Sequence, residues 1–170
     1  MISHQMRILM VHNYYQQRGG EDESVEQDIQ LLREHGHEVD FFSKHNDEIN
    51  HFSPFEKGAM LFSTTWSGRS YREIEERIRS FRPDVIHVQN FFPLISPSIH
   101  DAAQKFHIPL VQTLRNYRLI CSNGLFFRDG KVCELCLNRM PLAGVRYGCY
   151  RNSRIQSLAV AMMIARHQLC

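Results

Sequence analysis

A pair of glycines, Gly19 and Gly20, follows an apolar run and opens an acidic, helix-like segment in the stretch YYQQRGGEDESVEQ. Glycine lacks a Cβ, so it lets backbone N–H groups at the start of a helix approach a phosphate or a sugar hydroxyl. The stretch contains neither a G-x-G-x-x-G fingerprint nor the Gly-Lys-Ser/Thr of a P-loop. The acidic run Glu21–Glu23 would repel a phosphate unless its side chains point away or bind sugar hydroxyls. We therefore predict a loop that contacts only the edge of a diphosphate.

Four cysteines form a second group of residues that could have a chemical role. Cys133 and Cys136 make a Cys-x2-Cys pair. Cys121 lies twelve residues before the pair and Cys149 thirteen residues after it. Four thiolates suit a tetrahedral structural Zn²⁺, which would pin a cysteine-rich loop of residues 117–150. Reduced buried thiols and a redox or disulfide role are the alternatives, and we favour zinc.

Apolar runs of strand length alternate with helical patterns along the chain. These elements must position the glycine loop and the cysteines. Near-continuous hydrophobicity is typical of parallel strands that are covered on both faces. The alternation predicts right-handed βαβ crossovers, and hence an α/β fold with a Rossmann-like doubly wound parallel sheet, helices on both faces and the cysteine-containing loop as an insertion. The predicted strands are RILMVHN (7–13), EVDFFSK (38–44), RPDVIHVQN (82–90) and IPLVQTLRN (108–116).

Several helix boundaries also follow from the sequence. The first helix begins in the acidic run and ends at Gly36, since glycine is a natural stop. A later helix takes Ser96 as its N-cap and Pro97 as its first residue. A short helix is expected around Phe55–Phe62. The last residues follow a helical pattern without a stop signal, which predicts a chain that is cut off in or just after a helix.

Polar residues occupy the carboxyl ends of three of the predicted strands. In doubly wound sheets, ligands bind beyond the carboxyl ends of the strands, where the strand order reverses. For any single residue, the simple alternative is that loops begin with polar residues. Three such strand ends together favour a shared site. The residues selected in this way are His12 and Asn13 with the glycine loop, His87 to Asn90, and Arg115 with Asn116.

The composition indicates one globular domain. A chain of 170 residues with 43% hydrophobic and 22% charged residues can bury a core, so disorder is not expected. A net charge of +2 is too mild to indicate a nucleic-acid binder. The N-terminus does not resemble a secretion signal, and no apolar stretch has the ~20 residues needed to span a bilayer. We therefore expect a cytoplasmic protein.

The order of these motifs resembles the N-terminal half of family 4 glycosyltransferases. The segments that carry the resemblance are MRILMVHNYYQQRGGEDESVEQDIQLLREHGHEVDFFS, PDVIHVQNFFPLISPSIHDAAQKFHIPLVQTLRNYRLICSNGLFFRDGKVCELCL and GVRYGCYRNSR. These enzymes are GT-B proteins with two Rossmann-like domains that face each other across a cleft. The resemblance implies that residues 6–170 are the acceptor-side domain. It also implies that the C-terminal nucleotide-sugar-binding domain is missing here and that the isolated chain is inactive.

The resemblance further implies an activity and a set of partners. The expected reaction is retaining transfer of a sugar from a nucleotide-sugar to a glycan or lipid-linked acceptor, in polysaccharide biosynthesis. A lipid-diphosphate acceptor would suit the basic residues of the cysteine-rich loop and would place the enzyme at the inner face of the membrane by peripheral contact. Because the sequence contains no Asp-x-Asp pair, we expect no catalytic metal. Charge stabilisation at the departing diphosphate is then the main catalytic task.

Individual residues match the family pattern to different degrees. Gly19 and Gly20 match its glycine loop near the donor diphosphate, and Glu21 lies at the start of the matching helix. Arg115 and Asn116 occupy the strand end where many relatives have His followed by Asp or Asn, which makes them the candidate catalytic residues. A neutral His could assist the reacting sugar by hydrogen bonding, whereas the permanently charged Arg115 suits a phosphate or a carboxylate. The alternative is that Arg115 is an ordinary charged residue of the surface. The candidate substrate-binding residues are His12, His87 and Asn90.

A second function class remains open at this point. The cysteines, together with arginines and aromatic residues in and near the same loop, would also fit a stand-alone zinc-stapled binding module for nucleic acid or another anionic partner. Nucleic acid is the less favoured partner because the net charge is small. A phosphate-backbone binder would weaken steeply with salt, which separates the two classes.

Overall fold

The computed structural model describes residues 5–169, which form two compact units. The first unit contains the described residues up to Phe52 together with Ser67–Thr113. The second unit contains Ser53–Trp66 together with the described residues from Leu114 onward.

The first unit is built on a four-stranded parallel sheet. Its strands are β1 (Arg7–Tyr14), β2 (Glu38–His45), β3 (Val85–Asn90) and β4 (Leu110–Gln112), arranged in the order β2-β1-β3-β4. Helices α1 (Gly20–Glu34), α3 (Gly68–Phe81) and α4 (Ser98–Lys105) and a 3₁₀ helix (Asn46–His51) lie between the strands in sequence. This is the Rossmann-like α/β fold that the sequence predicted. The strand order reverses between β1 and β3, so the switch point lies at their carboxyl ends.

Strand β1 is buried on both faces and forms the centre of the core. Ile8 and Met10 belong to one cluster with Val25 and Ile29 of α1 and with Val39 of β2. Side chains alternate along a strand, so Leu9 and Val11 point to the opposite face, where both are fully buried. The continuous apolar run is therefore explained by burial on both sides.

The end of α1 confirms the predicted stop at Gly36. Gly36 has a φ of 84°, a left-handed conformation that glycine adopts without a steric penalty. Its N–H donates to the carbonyl of Arg33, and the His37 N–H donates to the carbonyl of Leu32. This pair of bonds is a Schellman motif, which satisfies carbonyls at the end of the helix.

The start of α4 differs from the sequence-based expectation. The helix begins at Ser98 with Pro97 at the N-cap, so the assignment of Ser96 as N-cap and Pro97 as first residue was wrong by one position. The physical reason is the left-handed φ of 68° at Ser96. Its hydroxyl accepts from the Ser67 N–H at 2.9 Å and donates to Ser98 Oγ at 3.0 Å, and these bonds hold the turn before the helix.

Strand β4 is shorter than predicted. It pairs with β3 from Leu110 to Gln112, and the Thr113 N–H makes one more bond to the Val88 carbonyl. The chain leaves the sheet after that bond. Arg115 and Asn116 therefore lie in the following loop and not at the end of the strand.

The second unit contains helix α2 (Pro54–Ser63), a hairpin of β5 (Phe127–Arg128) and β6 (Lys131–Val132), and helices α5 (Leu142–Arg146) and α6 (Arg154–Leu169). Helix α2 confirms the short helix expected around Phe55–Phe62, and Ser53 caps it by accepting from the Glu56 N–H. Helix α6 packs against α2 and α5. Within residues 5–169, no helix is long and apolar enough to cross a membrane.

The burial of β1 predicts a large difference between two Leu→Ala substitutions. Leu9 is fully buried, whereas Leu31 on α1 is 53% exposed. Leu9→Ala should lower the free energy of unfolding by about 2–5 kcal/mol, because it leaves a cavity in the core. Leu31→Ala should change it by no more than about 0.5 kcal/mol. Urea unfolding followed by circular dichroism measures both, and equal effects of the two substitutions would contradict the assigned core.

Candidate functional site

Asparagine side chains join the carboxyl ends of β1 and β3 at the switch point. The side-chain amide of Asn90 donates to the Asn13 carbonyl at 2.8 Å, and Asn90 Oδ1 accepts from the Phe92 N–H at 3.0 Å. Asn13 Oδ1 accepts from the Leu94 N–H at 3.0 Å, and its amide donates to Asn46 Oδ1 at 2.9 Å. Buried amides that are satisfied in this way fix the backbone around them. The edge of the sheet is therefore rigid where a ligand would approach.

The glycine loop is held by a buried carboxylate. Asp22 is 1% exposed, and its Oδ1 lies 2.9 Å from Nε2 of the fully buried His12, whose ring N–H donates to it. Asp22 Oδ2 accepts from the Gly19 N–H at 3.0 Å. A buried charge is tolerated only when donors surround it, so the carboxylate ties the end of β1, the loop and the first turn of α1 together.

The acidic run therefore splits by direction. Asp22 points inward to His12 and the loop, whereas Glu23 is exposed to solvent and Glu21 is half-buried. Part of the negative charge that would repel a phosphate is thus turned into the protein. The sequence analysis did not select Asp22 as a site residue. The available signal was its position three residues after Gly19, where an acid reaches back to the N-cap backbone.

Neither glycine is required by its own backbone or by close packing. Gly19 has a φ of −135° and a ψ of 177°, an extended conformation that any residue adopts, and Gly20 lies in the first turn of α1. A Cβ added at either position would meet no atom within 4 Å. Helix geometry gives the Gly20 N–H no acceptor within the helix. The missing side chains leave open space in front of the start of α1.

An open groove of about 290 Å³ lies beside this loop. Tyr14 stacks on His45 with ring centroids 5.6 Å apart, and its ring meets His12 edge-on at 4.6 Å. Burial, with the charges of Glu26 and Asp22, raises the pKa of the Tyr14 phenol. The groove combines aromatic faces with charged groups of both signs. It is lined by Tyr14, Tyr15, Gln16, Arg18, Asp22, Glu26, His45 and Asp47.

The other residues selected from the sequence lie in different surroundings. His87 is the third residue of β3, where its Nε2 lies 2.8 Å from Thr113 Oγ1 and 3.3 Å from the amide of Gln89. Arg115 is exposed in the second unit. Asn116, in the same unit, accepts from the Arg118 N–H at 3.0 Å and shapes the loop there. The structure thus brings His12, Asn90 and the glycine loop to one edge of the sheet, with His87 further back along β3.

The four cysteines selected from the sequence line one small pocket of the second unit. Cys121, Cys133, Cys136 and Cys149 are all free thiols, and they share the pocket with Arg128. Burial raises the pKa of Cys136 and of Cys149, and the other thiols contribute in the same direction. No three His, Cys, Asp or Glu side chains among residues 5–169 are already arranged as metal ligands.

A parallel Rossmann-like sheet with an open glycine loop at its switch point defines an α/β ligand-binding domain. The model of Glycosyltransferase Family 4 matches residues 18–122, which is more than half of the chain. The chain therefore belongs to glycosyltransferase family 4, and its function is that of a glycosyltransferase in general. Comparisons with curated proteins and with solved structures gave no significant match.

The buried position of Asp22 predicts a strong contrast with its neighbour Glu23. Asp22→Ala should lower the free energy of unfolding by about 1–3 kcal/mol, because it leaves the His12 and Gly19 donors without their buried acceptor. Glu23→Ala removes the same charge from the surface and should have an effect below about 0.5 kcal/mol.

Urea unfolding measures both free energies, and hydrogen exchange at the Gly19 amide adds a local readout. The amide should exchange faster in Asp22→Ala than in Glu23→Ala. Unchanged protection of Gly19 in Asp22→Ala would show that the carboxylate does not hold the loop.

Proposed function

We propose that this chain is the acceptor-side domain of a retaining glycosyltransferase of the GT-B type. It moves a sugar from a nucleotide-sugar to a glycan or lipid-linked acceptor in polysaccharide biosynthesis. A second domain of the whole enzyme holds the base, the ribose and most of the diphosphate. The enzyme acts in the cytoplasm, and a lipid-linked acceptor brings it to the inner face of the membrane.

The open space in front of Gly19 and Gly20 carries this proposal. The extended backbone at Gly19 and the helical position of Gly20 would accept other residues, and no atom of the chain lies where their Cβ atoms would be. Glycine at both positions is explained if a ligand occupies the space that their side chains would fill. A diphosphate edge suits it, because the N-terminus of α1 offers an N–H donor and the positive end of the helix dipole.

Asp22 acts as a positioning residue in this proposal. Its carboxylate accepts from Gly19 and from His12, so the loop is held in place before the donor arrives. Donors that are already oriented stabilise developing charge without further reorganisation. The leaving diphosphate gains negative charge as its bond to the sugar breaks, and the Gly20 N–H is oriented toward that charge. His12 holds Asp22 in place through its bond to the carboxylate.

The groove beside the loop is the proposed place for sugar hydroxyls. Asp47 supplies a carboxylate acceptor, and the phenol of Tyr14 supplies a hydrogen-bond donor. The stacked rings of Tyr14 and His45 offer apolar faces next to these polar groups. Arg115 is proposed as an anion-binding residue because its guanidinium is exposed and permanently charged. Asn116 is proposed to position the chain around it, through its bond to the Arg118 N–H.

The nucleic-acid alternative is less well supported by the second unit. The guanidinium of Arg128 lies 3.6 Å from the ring centroid of Tyr147, and that of Arg118 lies 5.2 Å from that of Tyr150. These arginines and tyrosines are thus engaged with one another, whereas a phosphate-backbone site needs a stripe of available cations. Family membership also favours the glycosyltransferase.

A side chain at Gly20 should damage catalysis and leave the fold intact. In the whole enzyme, Gly20→Val should lower kcat/KM by at least about tenfold, since a loss of ~1.4 kcal/mol in transition-state binding has that effect. Gly58→Val is the matched control, because Gly58 is also an exposed helical glycine whose Cβ would meet no atom within 4 Å. Steady-state kinetics and thermal unfolding of both variants are the measurements. Equal activity of the two variants would refute the proposed role of the loop.

The 170-residue chain alone should bind nucleotide-sugars only weakly and transfer no sugar. Reacting geometry of donor and acceptor can supply about 7–11 kcal/mol of a barrier, and one wall of a two-domain site does not provide it. Calorimetry with a panel of nucleotide-sugars, together with a transfer assay, measures both properties. Submicromolar binding or transfer by the isolated chain would show that the donor and acceptor sides are assigned wrongly.

A further inference from the structure

The segment 117–150 of the second unit has little regular structure to hold it. Its hairpin strands β5 and β6 contain two residues each, and its helix α5 contains five. Many of its large apolar side chains are exposed and contribute little to a core. A chain segment that cannot bury enough apolar surface needs another source of stability, such as a metal or a disulfide. The exposed side chains are Leu125, Phe127, Val132, Leu135, Leu137, Met140, Leu142 and Tyr147.

The four cysteines of this segment come together although they are far apart in sequence. Cys121 and Cys136 are buried, Cys133 and Cys149 are half-buried, and all four line the same pocket. The pocket holds about 10 Å³ of free space, about as much as one water molecule needs. Four thiols around so small a space are the donor set of a closed tetrahedral site.

The hairpin explains how the first two thiols are presented. The turn at Asp129 and Gly130, both with positive φ, reverses the chain, and the Cys133 N–H then donates to the Phe126 carbonyl at 2.8 Å. A tight turn follows, in which the Leu137 N–H donates to the Glu134 carbonyl at 3.0 Å. Cys133 thus directly precedes, and Cys136 lies within, a turn whose backbone is fixed by this hydrogen bond.

The surroundings of the pocket suit a negative charge. The guanidinium of Arg128 reaches the pocket, and its Nη1 atom is buried without a hydrogen-bond partner. Four thiolates on one Zn²⁺ carry a net charge of −2, which a neighbouring cation stabilises.

We propose that Cys121, Cys133, Cys136 and Cys149 bind one structural Zn²⁺ as a tetrahedral tetrathiolate. Each thiol loses its proton to solvent, each sulfur donates one electron pair to the metal, and nothing is oxidised or reduced. Cys121 must turn, because its thiol here donates to Asn123 Oδ1 at 3.0 Å. A cysteine side chain has one heavy-atom torsion with three staggered positions, so the Cys121 thiol can turn without a change in its backbone.

Metal content of the whole 170-residue chain, purified under reducing conditions, is the first measurement. We expect about one zinc per chain, and the same content in Cys170→Ser, which leaves the four proposed ligands intact. Absence of zinc with freely titratable thiols overturns the proposal. Mass spectrometry of the intact chain is the second measurement. A mass lower by two hydrogens, which shows a disulfide under these conditions, also overturns the proposal.

Two variants at one position separate a metal site from a disulfide. Cys149→Ser should lose most of the zinc, whereas Cys149→His should retain it, because histidine is also a zinc ligand and cannot form a disulfide. Equal zinc in Cys149→Ser and the unchanged chain overturns the proposal, and so does loss of zinc from Cys149→His. If Cys149→Ser does not fold, Co²⁺ is substituted for zinc in the unchanged chain. Thiolate-to-cobalt charge-transfer bands require sulfur ligands, so their presence supports the proposal and their absence overturns it.

Hydrogen exchange locates the effect of the metal. Removal of zinc by a chelator should increase exchange in residues 117–150 much more than in β1 and β3, because the proposed site stabilises that segment and not the sheet. Uniform exchange changes across the chain would contradict a local structural role. This outcome is independent of sugar transfer, so it does not depend on the proposed function.

Discussion

The geometry of the glycine loop depends on the buried carboxylate of Asp22. A charge at 1% exposure would be strongly destabilising without donors, and the structure supplies one from the end of β1 and one from the loop itself. The same bonds that satisfy Asp22 therefore decide the path of the chain between β1 and α1. As a result, the middle carboxylate of the acidic run Glu21–Glu23 is directed inward, and the surface before Gly20 is left to the backbone.

The asparagines at the ends of β1 and β3 extend this constraint across the switch point. Asn13 is bonded to Asn46 and to the Leu94 N–H, and Asn90 is bonded to the Asn13 carbonyl. The sheet edge is thus joined to the 3₁₀ helix on one side and to the chain before α4 on the other. A binding loop next to such an edge is carried on a rigid support, which favours precise placement of a reacting group. We propose that this edge serves sugar transfer, and membership of glycosyltransferase family 4 supports the proposal.

The strands of the first unit were largely predictable. Burial on both faces produces a continuous apolar run in β1, and Val85, Ile86 and Val88 give β3 an apolar character. The stop of α1 at Gly36 was predictable for a similar reason, since only a residue without Cβ adopts its φ at low cost. The inward turn of Asp22 was only partly predictable. Its position three residues after Gly19 indicates a bond to the N-cap backbone, whereas the buried His12 is a tertiary partner that the run of three acids does not indicate. The start of α4 was misplaced because a left-handed serine follows from tertiary hydrogen bonds. The end of β4 was misplaced because the sequence does not mark the point at which pairing with β3 stops, just after Gln112.

The central proposal is that the N–H groups at the start of α1 face a diphosphate. Amide chemical shifts of the isotope-labelled chain, titrated with a nucleoside diphosphate and with the matching nucleoside, test this claim residue by residue. The diphosphate should shift the Gly20 and Glu21 amides most strongly, and the nucleoside should leave them unchanged. Shifts that are confined to other amides, or equal responses to both compounds, would contradict the account.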